Sequence, residues 1–150
     1  MERKRIIGVI GGSEASDMCL EFAYRVGKLI AKNDVILICG GRTGVMEAAC
    51  RGAVEAGGTT IGVLPFDDFD AANEWVTIPI ATGMGTARNK VIINTGEAFI
   101  AICGRYGTLS EIAYALDAGK MVIGYETWDI EGVIEALTPE QAVGLAMGKK

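Results

Sequence analysis

Histidine is absent from the 150 residues. Without an imidazole, Ser-His-Asp and Cys-His nucleophilic sites are excluded, and any acid–base work falls to carboxylates, Lys, Tyr or Cys. The four cysteines, Cys19, Cys39, Cys50 and Cys103, never form a Cys-x-x-Cys pair. Together with the missing histidine, this argues against a zinc site, and no metal ligands are assigned. The apolar neighbours of these cysteines predict buried, structural thiols. Aromatic residues make up only 7% of a chain that is 50% hydrophobic, so the core must be built from Ile, Val, Leu, Ala and Met. No apolar run approaches the roughly 18 residues of a membrane span, and the run after Glu2-Arg3-Lys4-Arg5 is too short for a signal peptide. A cytoplasmic protein with no membrane partner is expected. Basic residues are also in deficit, 14 against 19 acidic, for a net charge of −5. That balance argues against nucleic-acid binding through a broad basic face, so an anionic ligand must be held by local chemistry.

What is abundant is glycine, 21 residues, far above an average share of about 7%. The glycines follow short apolar runs, where a chain turns from strand into helix. Strands are predicted at Ile6–Ile10, Val35–Cys39, Thr60–Leu64, Trp75–Ile80, Ala98–Ile102 and Met121–Tyr125. Helical spacing follows most of them. A short helix is expected after Trp128, and then Thr138-Pro139-Glu140-Gln141 opens a last helix with an N-cap and proline at the first position. Residues 65–73 form an acidic loop holding Phe66 and Phe69, readable as a solvated connection or as a lid. Six strands alternating with helices predict one domain over residues 1–150, a Rossmann-like, doubly wound parallel α/β sheet.

In such a sheet ligands bind beyond the carboxyl ends of the strands, where the strand order reverses. Four unusual loops belong to that edge. They are Gly11-Gly12-Ser13, Gly40-Gly41-Arg42-Thr43-Gly44, the stretch Thr82 to Lys90 with Arg88 and Asn89, and Gly104-Arg105-Tyr106-Gly107-Thr108 through Glu111. Glycines allow close backbone approach, helix starts present N–H groups, and three arginines supply charge, so a phosphorylated small molecule is the expected ligand. The dinucleotide fingerprint is incomplete, and the second strand ends in Cys39-Gly40 rather than an acid for a ribose, which argues against NAD. No Walker-type Gly-x-x-x-x-Gly-Lys-Ser/Thr stretch occurs.

The segments Gly40-Gly41-Arg42-Thr43-Gly44-Val45-Met46 and Cys103-Gly104-Arg105-Tyr106-Gly107-Thr108-Leu109-Ser110-Glu111 resemble the two signature loops of the LOG (Lonely Guy) superfamily, long mislabelled lysine decarboxylases. The resemblance runs from about Ile6 to Val122. It implies a phosphoribohydrolase that frees a base from a nucleoside 5′-monophosphate without a required cofactor, with Arg88 and Glu111 as catalytic residues. Lysine decarboxylation has no support, since no lysine is marked for pyridoxal phosphate. Three departures stand out: Cys103 replaces the signature proline, Arg105 its second glycine, and Asn89 the usual lysine. The Gly-Met-Gly-Thr-Ala-Arg-Asn stretch and the short chain look closer to a sister group similar to molybdenum-cofactor carrier proteins, which implies a bound nucleotide or molybdopterin-type ligand. Glu111 also has a structural reading, because Thr108-Leu109-Ser110-Glu111 has the spacing of a capping box. The expectation is a carrier or sensor for a phosphorylated nucleotide-like or pterin-type molecule; the alternatives are the hydrolase and an oligomeric scaffold. The resemblance further implies a homodimer or homotetramer; the apolar faces at Val91-Ile92-Ile93 and Ile112 to Leu116 are open to packing on the sheet or on a partner.

Overall fold

The apolar run at the start of the chain becomes β1 (Ile6–Gly11), and its continuation becomes α1 (Asp17–Lys32), capped by the Ser16 side chain. The computed structural model describes residues 1–148. There follow β2 (Ile36–Cys39), α2 (Val45–Glu55), β3 (Thr60–Leu64), β4 (Ile78–Ala81), α3 (Asn89–Thr95), β5 (Ala98–Ile102), α4 (Tyr106–Asp117), β6 (Met121–Tyr125), β7 (Val133–Glu135) and α5 (Pro139–Ala146). Short 3-10 turns at Phe69–Ala71 and Gly85–Arg88 flank β4. The strands form one sheet in the order β4-β3-β2-β1-β5-β6-β7, with every pairing parallel. The order reverses between β1 and β5, so the crevice of a doubly wound sheet opens above the ends of those two strands.

Both sheet faces are covered, which is why the strands read as continuous apolar runs rather than alternating ones. Ile7, Val9, Ile100 and Ile102 face the layer of α1, α2 and α5. Ile10, Phe99 and Ala101 face α3 and α4, beside Ile92, Ile93, Ile112 and Ala115. Of the two apolar faces left open above, Ile92, Ile93, Ile112 and Ala115 thus pack on the sheet. In the first layer α1 and α2 approach closely at two glycines: a Cβ at Gly27 would stand 1.9 Å from the Ala49 carbonyl oxygen, and one at Gly52 2.0 Å from that of Tyr24.

Three expectations are corrected. The fourth strand is Ile78–Ala81, not Trp75–Ile80, because Trp75 and Thr77 are taken up by side-chain bonds to Thr60 (Thr60 Oγ1 to the Trp75 carbonyl, 2.6 Å; Thr77 Oγ1 to the Thr60 carbonyl, 2.9 Å). Pro79, which has no N–H to donate, sits in this edge strand, where proline is tolerated. The helix expected after Trp128 is replaced by β7, a seventh strand pairing Val133 with Val122. Between the turn at Gly132 (φ +101°) and the Thr138 cap there is too little chain for a helix. Finally, Cys19 and Cys103 are not free thiols but a disulfide, with Cα atoms 6.3 Å apart and a separation of 84 positions in sequence. Because β5 lies beside β1 in the sheet, its end meets the first turn of α1. Cys39 and Cys50 are the buried thiols expected.

Candidate functional site

The β1–α1 loop, the β2–α2 loop, the turn before α3 and the start of α4 converge on one cleft of about 330 Å³ at the switch point. Of the residues singled out in the sequence, Gly11, Gly12, Ser13, Arg42, Arg88, Arg105, Gly107, Thr108 and Glu111 line it. The others shape it from behind. Gly40 lies under the Arg88 guanidinium, 2.9 Å from Nη1 to where a Cβ would stand. Thr43 donates its hydroxyl to the Ser13 carbonyl (3.0 Å), which joins the first two loops. Gly41 accepts from the Asn73 amide (2.9 Å), and Asn89 accepts from Arg88 Nη1. Gly104, at φ +93°, leaves room for the Thr108 hydroxyl, 2.1 Å from a Cβ there. Tyr106 points outward, 72% exposed, near Trp128. Glu14 and Met46 also line the cleft and were not singled out. Their only signal was adjacency to the glycine loops.

The two helix starts differ. In α4 the first helical bond is Leu109 N–H to the Arg105 carbonyl (3.0 Å), so the amides of Tyr106, Gly107 and Thr108 have no intrahelical partner. Gly107 and Thr108 carry theirs at the cleft wall. At the start of α2 the Val45 amide is taken by the Gly12 carbonyl (3.0 Å). Its cap, Gly44, faces a separate groove between α1 and α2, lined by Asp17, Glu21 and Glu47 with Arg51. Three carboxylates to one arginine make that larger groove unfavourable for an anion.

Arg88 ends the turn Gly85–Arg88, which is held to β3 by Thr82 Oγ1 to the Leu64 carbonyl (2.6 Å) and by the Gly85 amide to the Pro65 carbonyl (2.9 Å). Its Nε is buried with no hydrogen-bond partner. Burial, and secondarily the nearby Arg42, draw its pKa below the usual arginine value, while Glu111 acts in the opposite sense. Glu111 is pushed up to about 7 by burial, against the downward pull of Arg88. The capping-box reading of Glu111 is corrected: α4 begins at Tyr106 with Arg105 as its cap, so Thr108 is the third helical residue, 3% exposed, and Glu111 lies a turn further in. The 65–73 loop is tied to both arginine loops. Asn73 Nδ2 donates to the Arg42 carbonyl (2.7 Å), Gly83 N–H to the Phe66 carbonyl (2.9 Å), and the Arg42 guanidinium stands 5.2 Å from the Phe66 ring centre.

Residues 4–147 match the profile of the SLOG cluster4 family. The chain belongs to that family. This SLOG protein is similar to the molybdenum cofactor binding protein of the phototrophic bacterium Rippkaea orientalis, with a TM-score of 0.93 and 38% identity over 99% of this chain and 98% of that one. The molybdenum cofactor carrier protein of Chlamydomonas reinhardtii superposes with a TM-score of 0.86 and 37% identity, covering 97% and 98%. A cytokinin riboside 5′-monophosphate phosphoribohydrolase of Rhodococcoides fascians is 32% identical over 96 residues, 61% of this chain and 48% of the enzyme. The SLOG protein thus spans about half the length of that enzyme. No helix among the described residues is long and apolar enough to cross a membrane.

Proposed function

We propose that this chain binds and carries a phosphorylated pterin of the molybdenum-cofactor type in the switch-point cleft. One observation carries the reading: in a chain of net charge −5, three arginines converge on one cavity, and one of them keeps a buried donor with no partner. The guanidinium groups that line the cleft would give a phosphate charge-assisted bonds. The amides of Gly107 and Thr108 offer the same phosphate a helix start. The likeness to two molybdenum cofactor proteins over nearly the whole chain supports a pterin as cargo. No resident cofactor is required. Native mass spectrometry of freshly purified protein tests this. A pterin-sized mass is expected, and it should vanish from an Arg88→Ala/Arg105→Ala double variant. A nucleotide-sized mass alone would overturn the pterin assignment.

A second reading is favoured by Glu111, a carboxyl near neutrality beside Arg88 in the same cleft. In a nucleoside 5′-monophosphate phosphoribohydrolase, Arg88 would hold the phosphate and Glu111 would contact the ribose or guide water to the breaking glycosidic bond. Chromatographic assay of free adenine from AMP separates the two. A carrier releases none. If the parent turns AMP over at enzyme-like rates and Glu111→Gln loses roughly 100-fold or more while still binding, the hydrolase reading replaces the carrier. We further place the protein in the cytoplasm as a homodimer or homotetramer, in which case sedimentation equilibrium gives at least twice the 15.8 kDa chain mass.

A further inference from the structure

We propose that Cys103 is a thiol–disulfide exchange site at which a dithiol reductant opens the Cys19–Cys103 bridge, and that the state of this bridge sets how tightly the cleft holds its anionic ligand. The inference rests on the ligand site proposed above. The bridge joins the two loops that flank the switch point. Cys19 stands in the first turn of α1, three residues after the Ser16 cap that ends the β1–α1 loop. Cys103 follows β5 and leads directly into the Gly104–Thr108 wall. The two loops already touch, since a Cβ on Gly12 would lie 3.6 Å from the Gly104 Cα.

The backbone gives the bridge leverage on the ligand wall. Cys103 is held at φ +52°, a left-handed conformation that residues with a Cβ avoid. It persists only where its surroundings fix it. Besides the bridge, those surroundings are two bonds: the Cys103 amide to the Tyr125 carbonyl (2.9 Å) and the Thr127 hydroxyl to the Cys103 carbonyl (2.7 Å). With the bridge open, Cys103 is freer to return to negative φ, and that rotation redirects Gly104 and Arg105.

The two sulfurs are unequal in a way that suits directed exchange. Cys19 is 5% exposed, whereas Cys103 reaches solvent, so an incoming thiolate attacks the Cys103 sulfur. A mixed disulfide forms there as the Cys19–Cys103 bond breaks, and Cys19 leaves as a thiolate. That negative charge appears at the N-terminal turn of α1, where the amide dipoles and the Ser16 hydroxyl, 3.2 Å from the Cys19 sulfur, stabilise it. Cys19 then takes a proton. The second thiol of the reductant attacks its own mixed disulfide, freeing Cys103. In the net step the dithiol is oxidised to its disulfide while two electrons and two protons reduce the protein bridge.

The test uses AMP and inorganic phosphate as probes. Calorimetric affinities are compared for the oxidised parent, for the parent reduced with dithiothreitol, and for Cys19→Ser/Cys103→Ser with and without reductant. Reduction is expected to weaken binding roughly 10-fold, within the usual range of coupling between sites. The double variant should bind like the reduced parent and ignore dithiothreitol. Hydrogen exchange at Gly104–Thr108 gives a second readout on the parent alone, and reduction should speed it. Equal affinity in both redox states overturns the proposal and leaves the carrier reading standing. If neither form binds either probe, the ligand-site reading fails, and unchanged exchange at Gly104–Thr108 then overturns the control by the bridge as well.

Discussion

Arg88 donates through Nη1 to the side-chain oxygen of Asn89, its neighbour in sequence, and this bond holds one arm of a guanidinium that lines the cleft while the buried Nε stays unpartnered. Asn89, expected from the sequence to belong to a ligand loop and a departure from a signature lysine, thus acts as a clamp on Arg88. Arg88→Ala and Arg105→Ala are each expected to weaken AMP binding by roughly 1.5–3 kcal/mol, the worth of a charge-assisted contact. Arg88→Lys should recover little, because an ammonium lacks the planar fork and the Nε donor. Titration calorimetry checks all three.

Glu111 makes stability depend on pH. Its folded-state pKa is about 7 against an ordinary 4.5, raised by burial. The folded state therefore holds the proton more tightly than the unfolded chain. This contribution is fully present below about 4.5 and is lost as pH rises through about 7, up to about 3 kcal/mol in all. Denaturation midpoints of the parent should fall between pH 5 and pH 8. Glu111→Gln should flatten that slope and exceed the parent at pH 8.

Ligand binding should draw in a proton. At pH 7.5 a phosphate monoester is already largely dianionic, its second pKa being about 6. Placed beside Glu111, it disfavours the carboxylate and raises that pKa further. Calorimetry of AMP binding in buffers of different ionisation enthalpy should show uptake at pH 7.5 that is lost in Glu111→Gln.

The class of fold, five of the six expected strands and the loops of the cleft were legible because both signals are local: apolar runs of strand length, and glycines placed just after them. What was not legible depends on distant partners. The Cys19–Cys103 bridge requires knowing that β5 lies beside β1, which no spacing within either segment reveals. Val133–Glu135 is too short to show a period, and only the open edge of β6 makes it a strand. Thr108 and Glu111 have capping-box spacing, yet α4 is capped three residues earlier, at Arg105, which turns Thr108 into the core and leaves Glu111 lining the cleft with Arg88. The α2 start carries the stronger glycine signature, but its first amide is used by Gly12, so the weaker-looking α4 start faces the cleft.

Gly27 and Gly52 set how closely α1 and α2 pack. Gly52→Ala would drive a methyl into the Tyr24 carbonyl, and Gly27→Ala into that of Ala49, with backbone rather than flexible side chains in the way. Although alanine favours helix, each change is expected to destabilise the protein by about 3 kcal/mol or more through overpacking. Chemical denaturation measures this directly.

The cysteines should divide cleanly by chemistry. Alkylation of the non-reduced protein should modify two thiols, Cys39 and Cys50, and only after unfolding. The contact between these two sulfurs, 3.5 Å apart, and burial push the Cys50 thiol well above its usual range. Removing the other pair with Cys19→Ser/Cys103→Ser should lower stability by up to about 4.5 kcal/mol, as chain entropy predicts for a bridge spanning 84 residues.

Gly107 offers a way to retune selectivity by design. It lines the cleft in the first turn of α4, and nothing lies within 4 Å of where its Cβ would stand. Its backbone needs no positive φ. A side chain can therefore be added there without strain or repacking, at an exposed position on the cleft wall. Serine or alanine would add little bulk beside the cleft and leucine more. A graded series at this single position would show which cargo sizes the cleft admits while the arginines stay untouched.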